Sequence, residues 1–96
     1  MTTLDQIAGR IIKEQALVIG PLAWTEAGKV EGLHILDQKK GEVELQNSDP
    51  KESVNQLVAR YERLFGRASR EACRDAVKAI LAELSPGDVP SSLAAA

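Results

Sequence analysis

His34 is the only histidine in the chain, and it is the first side chain to consider for acid–base chemistry. A histidine beside a carboxylate can act as a general base near neutral pH. The hairpin predicted for residues 33–46 would place Glu44 diagonally across from His34 on the same face. No nucleophile, second acid or anion-binding loop accompanies the two, so we expect His34 to be an exposed strand residue. A small enzyme that uses His34 and nearby carboxylates at a subunit interface is the least favoured of the three functions considered below.

Cys73 is the only cysteine, which excludes an intramolecular disulfide and a metal site built from several cysteines of one chain. As a nucleophile it would need a lowered pKa, and Arg70 and Arg74 lie near it in sequence. Apolar residues nevertheless share its predicted helix face: Ala72, Ala76, Val77 and Ile80. The sequence therefore predicts a buried, unreactive thiol, and a free thiol favours a reducing compartment.

The acidic residues around the hairpin do not follow the spacing of metal ligands. They are scattered over the hairpin and the segment after it: Asp37, Glu42, Glu44 and Asp49. The sequence contains no calcium-binding loop and no glycine-rich phosphate loop. We therefore expect no metal and no cofactor, and an enzyme is less favoured than a binding protein.

Basic residues form the one unusual pattern. They recur at spacings of 3, 4, 3, 4 and 4 in the order Arg60, Arg63, Arg67, Arg70, Arg74 and Lys78. On one unbroken helix this basic stripe could follow a phosphate backbone or meet an acidic partner. A helix break near Gly66 would divide the stripe, and interspersed acidic residues dilute it. We expect a solvated, salt-bridged face, and binding of an acidic partner or of nucleic acid through the stripe is the alternative function.

The first helix is indicated by apolar residues at helical spacing over residues 4–19. Thr3 and Gln6 fit a capping box at its start. Gly20, followed by a proline, would end it. Residues 16–19 alone could instead form a short strand.

Further helices are predicted on both sides of the hairpin. A short one over residues 21–30 would face inward with Leu22, Ala23, Ala27 and Val30. Residues 50–84 are helical in pattern, with Asp49 as a good N-cap. The apolar arcs before and after residues 66–68 point in different directions, so we expect a break there, with Ser69 as the new N-cap.

Residues 33–46 predict a β-hairpin. Residues 38–41 end in a glycine, which suits a type I turn with a bulge. Pairing Gln38 with Glu42 sets a register in which Asp37 faces Val43, Leu36 faces Glu44, Ile35 faces Leu45 and His34 faces Gln46. Alternation then gives one buried face, with Leu33, Ile35, Val43 and Leu45, and one solvent face.

The composition is that of one globular domain. The 96 residues are 44% hydrophobic and 27% charged but only 3% aromatic, so the core must be mostly aliphatic. A net charge of −2 gives no global attraction to nucleic acid or to an anionic membrane. The expected fold class is α+β, with a small antiparallel hairpin packed against about four helices in the order α-α-β-β-α-α over residues 1–84.

The chain ends are expected to carry little structure or targeting information. Residues 85–96 follow a Ser-Pro-Gly helix stop and predict a disordered tail, of which the last alanines could be vector-derived. The N-terminus lacks the apolar segment of a signal peptide, and the longest apolar run, residues 16–19, is too short to span a bilayer. We therefore expect a cytoplasmic protein without a membrane partner.

The predicted hairpin gives the main functional expectation, because two strands alone are marginal in water and leave edges unpaired. A second copy can close such an edge, and twofold dimers are the commonest oligomers. We expect a homodimer with a four-stranded sheet, whose contact lies near Leu36, His34, Glu44 and Trp24. The favoured function is a non-catalytic interaction or regulatory module that self-associates; the sequence names neither its partner nor its process.

Overall fold

A computed structural model describes residues 2–46 and 48–93 of the chain. Within them, four helices and one antiparallel pair of strands follow in the predicted order α-α-β-β-α-α, so the α+β fold class is confirmed. The elements are α1 (Thr3–Ile19), α2 (Leu22–Ala27), β1 (Leu33–Asp37), β2 (Glu42–Leu45), α3 (Pro50–Phe65) and α4 (Arg67–Leu81), followed by two 3₁₀ turns (Pro86–Asp88 and Ser91–Leu93).

The capping box of α1 lies one residue earlier than predicted. Thr2 is the N-cap: its hydroxyl oxygen accepts a hydrogen bond from the Asp5 N–H (3.1 Å), and the Asp5 carboxylate accepts one from the Thr2 N–H (3.0 Å). The predicted pair of Thr3 and Gln6 is therefore wrong. Two threonines in succession offered two registers, and the aspartate at the third position decided between them because its carboxylate reaches back to the cap.

The α1–α2 connection follows the glycine and proline in the sequence. α1 continues through residues 16–19, so the alternative strand there is wrong, and it ends at Gly20. α2 is shorter than the predicted span of residues 21–30. Of its predicted inward residues, Ala23, Ala27 and Val30 are buried, whereas Leu22 at the first helical position is exposed.

The hairpin forms where predicted but in a different register. His34 pairs with Glu44 and Ile35 with Val43, two residues away from the predicted partners, while Asp37 pairs with Glu42. Residues 38–41 all belong to the turn, where the Asp37 carboxylate accepts a hydrogen bond from the Lys40 N–H (3.1 Å) and Gly41 has the expected positive φ of 72°. The observed turn is one residue longer than predicted, which shifts the partner of Asp37 by one residue. A bulge at Leu36 shifts the partners of Ile35 and His34 by one more. Turn length and bulge together overturn the predicted pairs.

The predicted break between α3 and α4 is confirmed at Gly66. Its φ of 92° and ψ of 176° lie in a region that is essentially restricted to glycine, so one residue both ends α3 and precedes α4. Asp49 caps α3 as predicted and accepts a hydrogen bond from the Glu52 N–H (3.3 Å). Ser69 is not the N-cap of α4, because the helix has already begun at Arg67 and Ser69 is buried within its first turn.

The core is aliphatic, as the composition predicts, and α1 lies at its centre. α1 packs against all three other helices and against β2. Its fully buried Ile7, Ile11 and Ile12 belong to the same hydrophobic cluster as Leu57 of α3. The one fully buried aromatic side chain among the described residues is Tyr61, whose hydroxyl donates a hydrogen bond to the Ala23 carbonyl (2.7 Å). This bond ties α3 to α2.

Residues 89–93 pack on the helices, although the sequence predicts a disordered tail from residue 85. The Ser91–Leu93 turn contacts both α3 and α4, and Leu93 is 1% exposed. The N–H and hydroxyl of Ser92 both donate to the Asn55 side-chain oxygen, at 3.0 and 2.6 Å. Residues 94–96 of the predicted tail lie outside the described residues.

Candidate interaction surfaces

The solvent face of the hairpin carries His34, Leu36 and Glu44, three of the residues predicted for a dimer contact. Leu36 is 55% exposed, His34 is exposed and Glu44 is half-buried. His34 and Glu44 stand directly opposite each other, not diagonally. Trp24, the remaining predicted contact residue, is 7% exposed and packs inside the hydrophobic core rather than on this face.

A cleft of about 610 Å³ opens beside this face, where the start of α1 approaches β2. The described residues that line it are Thr2, Asp5, Leu36, Glu44 and Leu45. His34 does not line the cleft, and the Glu44 carboxylate accepts a hydrogen bond from the Gln46 amide (3.1 Å) instead of holding a histidine. This cleft therefore does not bring the predicted base and carboxylate together around a substrate space.

The outer edge of β2 is covered by α1. The Asp5 carboxylate accepts a hydrogen bond from the outward-facing N–H of Leu45 (2.9 Å). One turn further along α1, Gly9 approaches the Gly41 carbonyl so closely that a Cβ at this position would collide with it. The stem of Lys13 follows, packed against Gly41. Residues 5, 9 and 13 share one face of α1, and this face closes the β2 edge.

Beyond Leu33, whose N–H donates a hydrogen bond to the Val30 carbonyl (3.2 Å), the outer edge of β1 is open among the described residues. In an antiparallel pair, hydrogen-bonded residue pairs alternate with pairs whose N–H and C=O groups point outward. The N–H of Leu45 points outward, so its partner Leu33 also has outward-pointing groups. The same holds two residues further along for the pair of Ile35 and Val43. The N–H and C=O of Ile35 therefore point away from β2, and no other strand of the described residues pairs with this edge.

The basic stripe does not form one surface. Gly66 divides it, so that Arg60 and Arg63 lie on α3 whereas the other four lie on α4. Several of its members are already engaged: Arg60 with Glu26 (3.6 Å), and Arg70 with Glu62 (3.8 Å) and with the Ser92 carbonyl (3.3 Å). Arg74 and Lys78 line another cleft, next to the C-terminal turns, and Arg63 and Arg67 are exposed.

Arg60 and Arg63 instead join two polar residues, Lys29 and Gln56, that were not predicted from the sequence. A cleft of about 480 Å³ between the end of α2 and the middle of α3 is lined by Lys29, Val30, Gln56, Ala59, Arg60 and Arg63. Lys29 is far from Arg60 in sequence, and only the packing of α2 on α3 brings them together. The spacing of Gln56, Arg60 and Arg63 by four and three residues is a signal that could have placed these three on one helix face.

The thiol of Cys73 and the phenol of Tyr61 are buried groups of the core. Cys73 is 0% exposed, and burial raises its pKa to about 11, although the Gln15 amide donates a hydrogen bond to its Sγ (3.4 Å). Burial, with a contribution from Cys73, also raises the pKa of Tyr61 above its ordinary value. Both groups are held in their neutral forms, so neither is poised as a nucleophile or base.

No protein-family model, curated protein or solved structure matches this chain. In the described part of the chain, no group of three or more His, Cys, Asp or Glu side chains is placed to hold a metal ion. No helix over residues 2–46 and 48–93 has the length and apolar character needed to cross a membrane.

Proposed function

We propose that the chain is a protein-interaction module that self-associates through the outer edge of β1. The observation that carries this proposal is the asymmetry of the hairpin. On the β2 edge, α1 provides a hydrogen bond and a close backbone approach, whereas the outward N–H and C=O of Ile35 on β1 have no strand partner among the described residues. Exposed strand edges are templates for pairing with another strand. The buried free thiol, Cys73, is compatible with a reducing compartment, so the proposal keeps the cytoplasmic location expected from the sequence.

The twofold axis of the proposed dimer passes beside Ile35. Antiparallel pairing of β1 with a second β1 lets the N–H and C=O of each Ile35 bond those of its counterpart. His34 then lies opposite Leu36 of the other copy, which brings no like charges together. The product is a four-stranded sheet in the order β2-β1-β1-β2, and it covers the exposed side chain of Leu36 and that of Ile35, which is 36% exposed.

The proposed contact is small, so we expect a weak dimer. One five-residue strand and two apolar side chains bury less than the roughly 1,200 Å² typical of stable complexes. A dissociation constant of about 1 to 100 μM corresponds to roughly 5 to 8 kcal/mol and is a reasonable expectation for such an edge. Dimer formation should therefore depend on concentration over the micromolar range.

The direct test is sedimentation velocity over a dilution series of the wild-type chain and of Ile35→Pro. Proline removes the outward N–H that would pair with the second copy, but it leaves the hairpin ladder intact because that N–H does not point to β2. We expect the wild type to approach twice 10.4 kDa at high concentration and the variant to stay at 10.4 kDa.

A matched pair of charge variants separates this edge from other exposed apolar residues. Leu36→Lys places a charge at the proposed contact, whereas Leu17→Lys places the same charge on an even more exposed leucine near the end of α1. We expect only Leu36→Lys to weaken the dimer, with circular dichroism showing that both variants fold. A wild type that stays monomeric, or a dimer that survives both Ile35→Pro and Leu36→Lys, would contradict the proposal.

A further inference from the structure

The cleft between the end of α2 and α3 is positively charged, and a carboxylate behind its lining, Glu26, holds two of its cations. Its described lining holds three cationic side chains, Lys29, Arg60 and Arg63, and no acidic one. Gln56 adds an amide that can donate hydrogen bonds. Val30 and Ala59 supply the apolar part of the wall, and the space of about 480 Å³ exceeds what a single small ion fills.

Glu26 holds two of these cations in place from behind the lining. Its side chain is 9% exposed, and its carboxylate lies 3.0 Å from the Lys29 ammonium and 3.6 Å from the Arg60 guanidinium. One buried carboxylate shared by two cations neutralises only one of them. With Arg63, which has no ion pair among the described residues, three positive charges and one negative charge leave a surplus of two.

The local sequence explains why the charges converge. Glu26 and Lys29 are three residues apart at the end of α2, so they meet on one face of a helical turn. Gln56, Arg60 and Arg63 follow at spacings of four and three on α3 and face the same space. The hydrogen bond from Tyr61 to Ala23 fixes α2 against α3 beside the cleft.

We infer that this cleft binds a phosphate monoester. Such a group carries a charge of about −1.5 to −2 near pH 7, which matches the surplus of the cleft. Guanidinium groups bind phosphate oxygens through paired hydrogen bonds, and an ammonium adds a point charge. The apolar wall and the remaining space accommodate the part of the ligand that bears the phosphate. The site involves no residue of β1, so it is independent of the proposed self-association.

The test is a titration of the isotopically labelled chain, followed by nuclear magnetic resonance, with O-phosphoserine, inorganic phosphate and unphosphorylated serine. We expect the two phosphates to shift the amide signals around Lys29 and Arg60, and serine to shift none. A peptide containing phosphoserine distinguishes the sources of the group: tighter binding than free O-phosphoserine indicates a phosphorylated protein, and equal binding indicates a small phosphoester. No shift at the cleft with either phosphate overturns the inference.

Two arginine variants with the same change of charge supply the control. Arg63→Gln removes the cation that has no partner within the cleft, whereas Arg67→Gln removes an exposed arginine outside it. We expect Arg63→Gln to weaken O-phosphoserine binding by about tenfold or more and Arg67→Gln to leave it nearly unchanged. Equal weakening by both variants would show non-specific attraction and reject the site. The Ile35→Pro variant should bind as the wild type does, which keeps this result separate from that of the dimer test.

Discussion

The pKa of the Cys73 thiol is determined by its burial in the fold and not by its neighbours in sequence. Two arginines near it in sequence could have lowered the pKa of its thiol, but the helix turns its side chain into the core, where apolar neighbours such as Val77 pack with it. Removing the thiol from water disfavours the thiolate more than the Gln15 hydrogen bond favours it. The burial predicted from helical spacing is therefore confirmed, and it results from the periodicity of α4.

This raised pKa predicts a loss of stability at alkaline pH. The unfolded chain releases the Cys73 proton near pH 9, whereas the folded chain keeps it until about pH 11, so the unfolded state binds fewer protons between these values. The free energy of unfolding should fall across this window by up to about 3 kcal/mol. Tyr61, whose pKa is also raised, adds to the loss above about pH 10.

Urea unfolding at a series of pH values measures this loss, with Cys73→Ala as the control. The variant should be less stable throughout because it leaves a cavity. Its stability should nevertheless decline less steeply between pH 9 and pH 11, since only the tyrosine contribution, which begins near pH 10, remains. Identical pH slopes in the two proteins would show that the thiol does not titrate differently on folding.

Residue patterns predicted the existence of the elements better than their alignment. The break at Gly66 was visible because two apolar arcs on one helix cannot face one core. The hairpin register was not, because both the predicted and the observed pairing keep Leu33 and Val43 on one face and only the turn length and the bulge at Leu36 decide between them. Alternation has a period of two, so a shift by two residues keeps the same side chains on one face. Of the predicted buried face, Leu33 and Val43 are buried, but Leu45 is only half-buried and Ile35 is 36% exposed.

Gly9 illustrates a residue whose role is visible only in the packed elements. In an isolated helix, Gly9→Ala would be favourable by about 1 kcal/mol. Here the new Cβ meets the Gly41 carbonyl, a backbone group that cannot move aside, so α1 must separate from the hairpin. We expect a net destabilisation of about 1 to 3 kcal/mol in urea unfolding.

Gly28→Ala is the matched control for this substitution. Gly28 has a helical φ of −64°, and an added Cβ would make only ordinary contacts at 3.6 Å and beyond. Its substitution should be neutral or slightly stabilising. If Gly9→Ala were equally harmless, α1 would not approach the turn this closely in solution, and the covered β2 edge would lose one of its two supports.

The cationic cleft is formed by residues from the end of α2 and from α3, so the sequence showed only part of it. Arg60 and Arg63 were selected as members of a stripe along one helix, but the surface they form also depends on Lys29 from α2. No spacing rule connects residues that are so far apart in the chain. The open β1 edge could be anticipated from the presence of only two strands, whereas the cover on β2 required the path of α1 to be known.

The C-terminal turns also act at the scale of the whole molecule, because they join α3 and α4 from outside. Leu93 is a fully buried side chain at the end of a segment whose composition suggested disorder, and Ser92 anchors the same turn to Asn55. A short chain buries a limited core, so the burial of one more leucine side chain contributes a substantial fraction of its stability.

We expect Leu93→Ala to lower the free energy of unfolding by about 2 to 4 kcal/mol, measured as a lower urea midpoint with an unchanged m-value. Ser91→Ala, at an exposed position of the same turn, should leave the midpoint in place. A wild-type midpoint for Leu93→Ala would mean that the turn is undocked in solution and that the tail predicted from the sequence describes residues 85–93 better than the packed arrangement.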